Sequence, residues 1–108
     1  MTRKFVELPA FQKAWKDMGL SDDELFALDT MLLKNPFAGA VIKGSGGARK
    51  VRLEMPGKGK RGGARVIYVD VLVDETIYYL YAYPKSVKDD LSQQEINNIR
   101  KAVAMLKT

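Results

Sequence analysis

Apolar positions along the chain change period several times, and each change marks an element. Arg3 to Leu8 reads as a short strand with Phe5 and Val6 as its apolar residues. Pro9 suits the first turn of a helix. Phe11, Ala14, Trp15 and Met18 then recur at i, i+3, i+4 and i+7 before Gly19 closes the run. Ser21-Asp-Asp-Glu24 has the pattern of a capping box, and Leu25, Leu28 and Leu32 carry the stripe behind it until Asn35-Pro36 stops it. The next helical pattern comes only after Ser92-Gln-Gln-Glu95, a second capping box followed by Ile96, Ile99, Val103 and Leu106. Phe11 and Trp15 are expected to pack in the core, and Ser21 and Ser92 to act as caps.

Between these helical stretches the period drops to two. From Arg49 to Met55, Val51, Leu53 and Met55 alternate with Lys50, Arg52 and Glu54, which places Lys50 and Arg52 on one face of a strand. Arg65 to Val73 is almost continuously apolar, as a central strand buried on both sides would be. Asp74-Glu-Thr reads as a turn. Ile77 to Tyr83 is rich in β-formers, and strict alternation there puts Tyr79, Tyr81 and Tyr83 on one face, with Pro84 ending the strand. The predicted order is β-α-α-β-β-β-α: an α+β fold with a small antiparallel-dominated sheet, its helices packed on one face. With 108 residues, one domain covering 1–108 is expected.

Composition narrows the chemistry. There is no cysteine and no histidine. Thiolate nucleophiles, Ser-His-Asp and Cys-His catalysis and a two-histidine ribonuclease are therefore excluded within this chain. Glu54, Asp70, Asp74 and Glu75 show no D-x-D or E-x-x-E spacing, so neither a metal nor another cofactor is expected. The first residues lack the roughly 7–15-residue apolar stretch of a signal peptide, and nothing approaches the ~20 apolar residues of a membrane span. A cytoplasmic protein without membrane contact is the expectation.

Net charge is +5, but it is unevenly placed. Lys43, Arg49, Lys50, Arg52, Lys58, Lys60, Arg61 and Arg65 face a single acid, Glu54, within one stretch, giving it +7 and leaving −2 for the rest. Seven of the nine glycines lie in the same stretch. Clustered cations supply counterions for phosphates, and glycine lets a backbone approach a ligand, so the cassette points to an anionic polymer. Gly57-Lys-Gly-Lys-Arg-Gly62 formally matches G-x-G-x-x-G, but a dinucleotide fold needs a helix after it, and a strand is predicted there. Arg65 stands out because it opens the most apolar strand directly beside the basic loop.

Three segments together resemble RelE/HigB-type toxins of bacterial toxin–antitoxin pairs, with a HigB-like flavour. They are Gly44-Ser-Gly-Gly-Ala-Arg-Lys-Val-Arg-Leu, Gly57-Lys-Gly-Lys-Arg-Gly-Gly-Ala-Arg-Val-Ile-Tyr, and Tyr79-Leu-Tyr-Ala-Tyr-Pro-Lys-Ser followed by Lys88-Asp-Asp-Leu-Ser. The resemblance implies a RelE-like fold and a ribosome-dependent endoribonuclease cutting mRNA at the A site. It implies metal-free attack of the ribose 2′-OH on the adjacent phosphate. A lysine base for such a step must titrate well below its free value, the direction in which crowded like charges push it. By the same resemblance Arg65 stabilises the reacting phosphate, Lys58 and Lys60 take base or electrostatic roles, and Lys85 with Tyr83 sits at the strand end carrying a further active-site group. Lys43, Arg49, Lys50, Arg52 and Arg61 are the expected contacts to RNA and ribosome. The implied partners are a cognate antitoxin, the ribosome with its mRNA, and operator DNA through the antitoxin. The pattern departs from the best-known members at Ser86, where they carry a second arginine, and in lacking an aromatic after Tyr83, which leaves the general acid unassigned. Two other readings are open: a ParE-like gyrase inhibitor without nuclease activity, and a non-catalytic RNA- or DNA-binding module.

Overall fold

A computed structural model describes residues 2–54, 63–88 and 90–108. The chain runs β1 (Lys4–Glu7), α1 (Pro9–Asp17), α2 (Asp22–Lys34), β2 (Ala40–Val41), β3 (Arg49–Glu54), β4 (Gly63–Val71), β5 (Thr76–Pro84) and α3 (Gln93–Leu106). The helices begin where the sequence says they should. Ser21 and Ser92 each accept from the backbone N–H three residues on, while Glu24 and Glu95 reach back to the cap nitrogen. Each reciprocal pair satisfies two of the orphan donors at a helix start. Asn35 ends α2 as expected. Beyond β4, a 3-10 turn over Leu72–Asp74 leads to Glu75, whose φ of 52° closes the β4–β5 connection.

The five strands lie in the order β1-β5-β4-β3-β2, with β1 parallel to β5 and every other pair antiparallel. The α+β class and the antiparallel-dominated sheet are as predicted, and β4 is central. β2 is an addition to the predicted order: two residues are too short to carry a periodic signal. Gly39, at φ +79°, lets the chain approach β3, since a Cβ there would lie 2.2 Å from the Lys50 carbonyl oxygen.

The expectation that the helices share one face is corrected. Phe11 and Trp15 of α1 and Leu28 and Leu32 of α2 pack with Val51, Val66, Tyr68, Ile77 and Tyr79 on one side of the sheet. Ile99 and Val103 of α3 pack with Ile67, Val69, Val71, Leu80 and Tyr83 on the other. The physical reason lies in β4, whose two faces are both apolar, so each needs a cover.

A second correction concerns the tyrosines of β5. Tyr68 pairs with Tyr79 while Ile67 pairs with Tyr81, so β5 has one extra residue there. This bulge at Leu80 breaks the alternation. Tyr79 faces α1, sandwiching Phe11 with Trp15 (centroids 4.8 and 5.2 Å). Tyr81 and Tyr83 face α3's side instead, with ring centroids 6.0 Å apart.

Candidate active site

α3 covers only part of its face of the sheet. Beyond it, the register sets Arg52 of β3, Arg65 of β4 and Tyr83 of β5 side by side in one row. Two residues along, Lys50, Ile67 and Tyr81 form the next row on the same face. Like charges directly opposite on neighbouring strands repel, so the Arg52–Arg65 pair is a local cost in the free protein. The Arg65 Nη1 atom is buried and has no hydrogen-bond partner among the described residues. A buried donor left unmade is expensive, and here the cost is removed by any anion that enters between the two guanidinium groups.

Gly63 lies two residues before Arg65 and adds no side chain to this face. A Cβ there would sit 3.8 Å from Arg65 Nη1 and 4.0 Å from the Lys85 Cβ, so glycine keeps open the space between these two residues. The Lys85 N–H donates to the Gly63 carbonyl at 2.8 Å, anchoring the end of β5 beside Arg65. Tyr83 itself is buried.

The segment leading into α3 adds charges of both signs. Lys88 places its ammonium 5.1 Å from the Tyr83 ring centre and 5.5 Å from that of Tyr81, within cation–π range. It also donates to Glu95 Oε2. This hydrogen bond, ahead of the Ser92 backbone contact, holds the Glu95 carboxyl below its usual range. Lys50 Nζ meets Asp90 Oδ1 at 3.4 Å.

Of the residues singled out from sequence, Arg65, Tyr83, Lys85, Arg52 and Lys50 are therefore brought to one face. Lys43 is exposed in the turn between β2 and β3. Arg49 points the opposite way: it pairs with Tyr68, donates to the Phe37 and Gly39 carbonyls at 3.0 and 3.1 Å, and covers the Phe37 ring. Lys58, Lys60 and Arg61 lie outside the described residues.

The first group of cassette glycines has a structural use. Gly44, Gly46 and Gly47 all take positive φ, and a Cβ on Gly46 would stand 3.3 Å from Val103 of α3. Buried Ser45 ties that turn to the Ile42 carbonyl, and Lys107 Nζ donates to the Gly46 carbonyl. The close backbone approach here is to a helix.

Sequence reasoning missed Lys88 and the position of Tyr81. Lys88 lies four residues before the Ser92 cap of α3, and a cation at that place was the available signal. The face presents cations and phenols, which suit a phosphodiester. Among the described residues no three acidic side chains gather as a metal ion would require, and no helix is long and apolar enough to cross a membrane.

Comparison with known proteins agrees with this architecture. A family model described as the RelE toxin of the RelE/RelB toxin–antitoxin system matches residues 4–108. Among solved structures, an arginine-to-alanine double mutant of the E. coli toxin RelE in its free state superimposes with a TM-score of 0.57. It is 14% identical, with 95% of this chain and 98% of that one covered.

Proposed function

As the chain belongs to the RelE toxin family of toxin–antitoxin systems, we propose that it is an endoribonuclease that cuts mRNA at the ribosomal A site and so halts translation. The observation that carries the reading is the row Arg52–Arg65–Tyr83, with a buried guanidinium nitrogen that lacks a partner among the described residues.

In the proposed step the ribose 2′-oxygen attacks the adjacent phosphorus and the P–O5′ bond breaks. The products are a 2′,3′-cyclic phosphate and a 5′-hydroxyl, so a proton leaves the 2′-OH and one reaches the 5′-oxygen. Charge accumulates on the non-bridging oxygens as the phosphorus becomes five-coordinate. Arg65, held in place by the sheet, meets that charge without reorganisation, and Arg52 reinforces it. Tyr83 and Lys85 border the same space and are the described candidates for proton transfer; Lys58 and Lys60, which lie in sequence between β3 and β4, are the candidates outside the described residues. Lys50 continues the path of the RNA backbone, with Lys43 and Arg61 as further contacts to RNA or ribosome. Arg49 is better read as a support for the 35–39 segment.

The ribosome supplies the orientation that a small open face cannot impose on a flexible strand. The proposed partners are accordingly the ribosome with its mRNA and a cognate antitoxin carrying acidic groups toward this face, with operator DNA reached through the antitoxin. The proposed compartment is the cytoplasm.

The test is induced expression followed by mapping of mRNA 5′ ends. Cuts in register with the reading frame, bearing 5′-hydroxyls and dependent on Arg65, are expected. Cuts unrelated to frame, or none, overturn the ribosome-dependent reading. Inhibition of supercoiling with intact mRNA would instead identify a gyrase poison.

A further inference from the structure

Beside the row of cations lies a cleft of about 320 Å³ that the proposed cleavage step does not use. Its walls are Ala40, Val41 and Ile42 on one side and Leu91 and Ile96 on the other, and Lys50 and Asp90 complete it. The volume is many times the roughly 10–15 Å³ that a single water requires on the same measure, enough for one planar heterocycle. The geometry points to a subsite for a single unstacked nucleobase next to the cut, one that favours guanine. The inference rests on the nuclease reading and adds a specificity-determining residue, Asp90, to it.

Three observations place a nucleotide there. First, Lys50 stands two residues along β3 from Arg52, roughly 6.8 Å on the strand, which is the scale of one extended nucleotide step. A phosphate held between Arg52 and Arg65 thus brings its neighbour to Lys50. Second, five of the seven described lining residues are apolar, as suits a base face, and single-stranded RNA is read by splaying bases into such sites. Third, the cleft carries a carboxylate beside a cation, Lys50. Asp90 lies among cations on a face that otherwise suits phosphate, and its side chain is 88% exposed, so the ion pair with Lys50 adds little stability.

A carboxylate accepts from two adjacent donors at once. Guanine offers such a pair on its Watson–Crick edge, the ring N1–H and the 2-amino group. Adenine, cytosine and uracil each present one donor beside an acceptor, which a carboxylate opposes. On entry of the base, Asp90 exchanges Lys50 for this edge, and Lys50 is released to the phosphate.

The test uses bacterial ribosomes programmed with messages in which each nucleotide within two positions of the cut is in turn G, inosine, A, C or U. Wild type is expected to cut G about tenfold faster than A at one fixed position, with inosine, which lacks the 2-amino group, in between. Asp90→Asn should bring that ratio within about threefold while still cutting, because a carboxamide presents one acceptor and one donor. Ala40→Leu, which narrows the cleft from the opposite wall, should slow the G message and spare the A message. Equal cutting of all five bases by wild type overturns the subsite. An undiminished G preference in Asp90→Asn does the same, and so does a uniform change across all bases, the signature of a bulk-charge or protein-docking role. Absence of Arg65-dependent cutting of every message would overturn the nuclease reading itself.

Discussion

The two faces of the β4–β5 pair show one sheet solving opposite problems. On the side of α1 and α2, polar groups of the buried tyrosines are matched. The Tyr68 hydroxyl reaches the Pro36 and Ala38 carbonyls at 2.9 and 2.7 Å, and burial pushes it up to about pKa 12. The Tyr79 hydroxyl donates to Asp29 at 2.5 Å, and burial first, then Asp29, holds it well above the ordinary phenol range. On the side of α3, beyond the helix, two arginines oppose each other across strands, and the Arg65 Nη1 donor has no partner among the described residues. The closed face is built for stability. The open face retains a local cost that an anionic ligand relieves, as sites of function commonly do.

Substitutions can separate the two. The largest effect on stability is expected from Phe11→Ala, which empties the space between Trp15 and Tyr79 and should cost about 3–5 kcal/mol in urea unfolding. Its effect on cleavage should follow only from the fraction unfolded. Arg65→Ala should do the reverse, lowering the rate of cleavage on ribosomes by about 10²–10³ with an unchanged or higher Tm, because it removes the repulsion with Arg52. A clear loss of stability in Arg65→Ala would show that the open face also holds the fold together. Tyr79→Phe removes the donor to half-buried Asp29 and should cost about 1 kcal/mol, with growth arrest intact.

The smallest effect belongs to the tie between α3 and the open face. Because Lys88 lowers the Glu95 pKa in the folded state, this carboxylate contributes its full stability above the unfolded value of about 4.3. That contribution is lost as pH falls through the lower, folded value. Glu95→Gln should therefore flatten the acid limb of a Tm-against-pH curve below about pH 4. An identical acid limb in both proteins would remove Glu95 from the account.

Local signals were legible in proportion to how local they are. Both capping boxes, the stop at Asn35 and the turn at Glu75 depend on residues within one turn, and the chain forms them where the sequence puts them. Arg65, Tyr83, Lys85, Arg52 and Lys50, which the sequence suggests partly through strand alternation and partly through the family resemblance, lie on one face of the sheet. Arg49 shows the limit of counting charge: one residue from Lys50, it lies on the other face and supports carbonyls of the α2–β2 connection. The cassette divides in a similar way, since Gly44, Gly46 and Gly47 dock α3.

By itself the sequence determined the order of the three helices and the four longer strands, the caps, the central place of β4, and the lack of histidine and cysteine that bounds the chemistry. Tertiary structure alone decided which face each residue serves. A strand has period two, so one extra residue exchanges inside for outside. The bulge at Leu80 does so for Tyr81, separating it from Tyr79 and placing it with Tyr83 under Lys88. Pairings such as Arg52 with Arg65, Lys88 with Glu95 and Lys50 with Asp90 follow from register and helix docking. These are set by how both faces of the sheet are covered, and no local pattern encodes them.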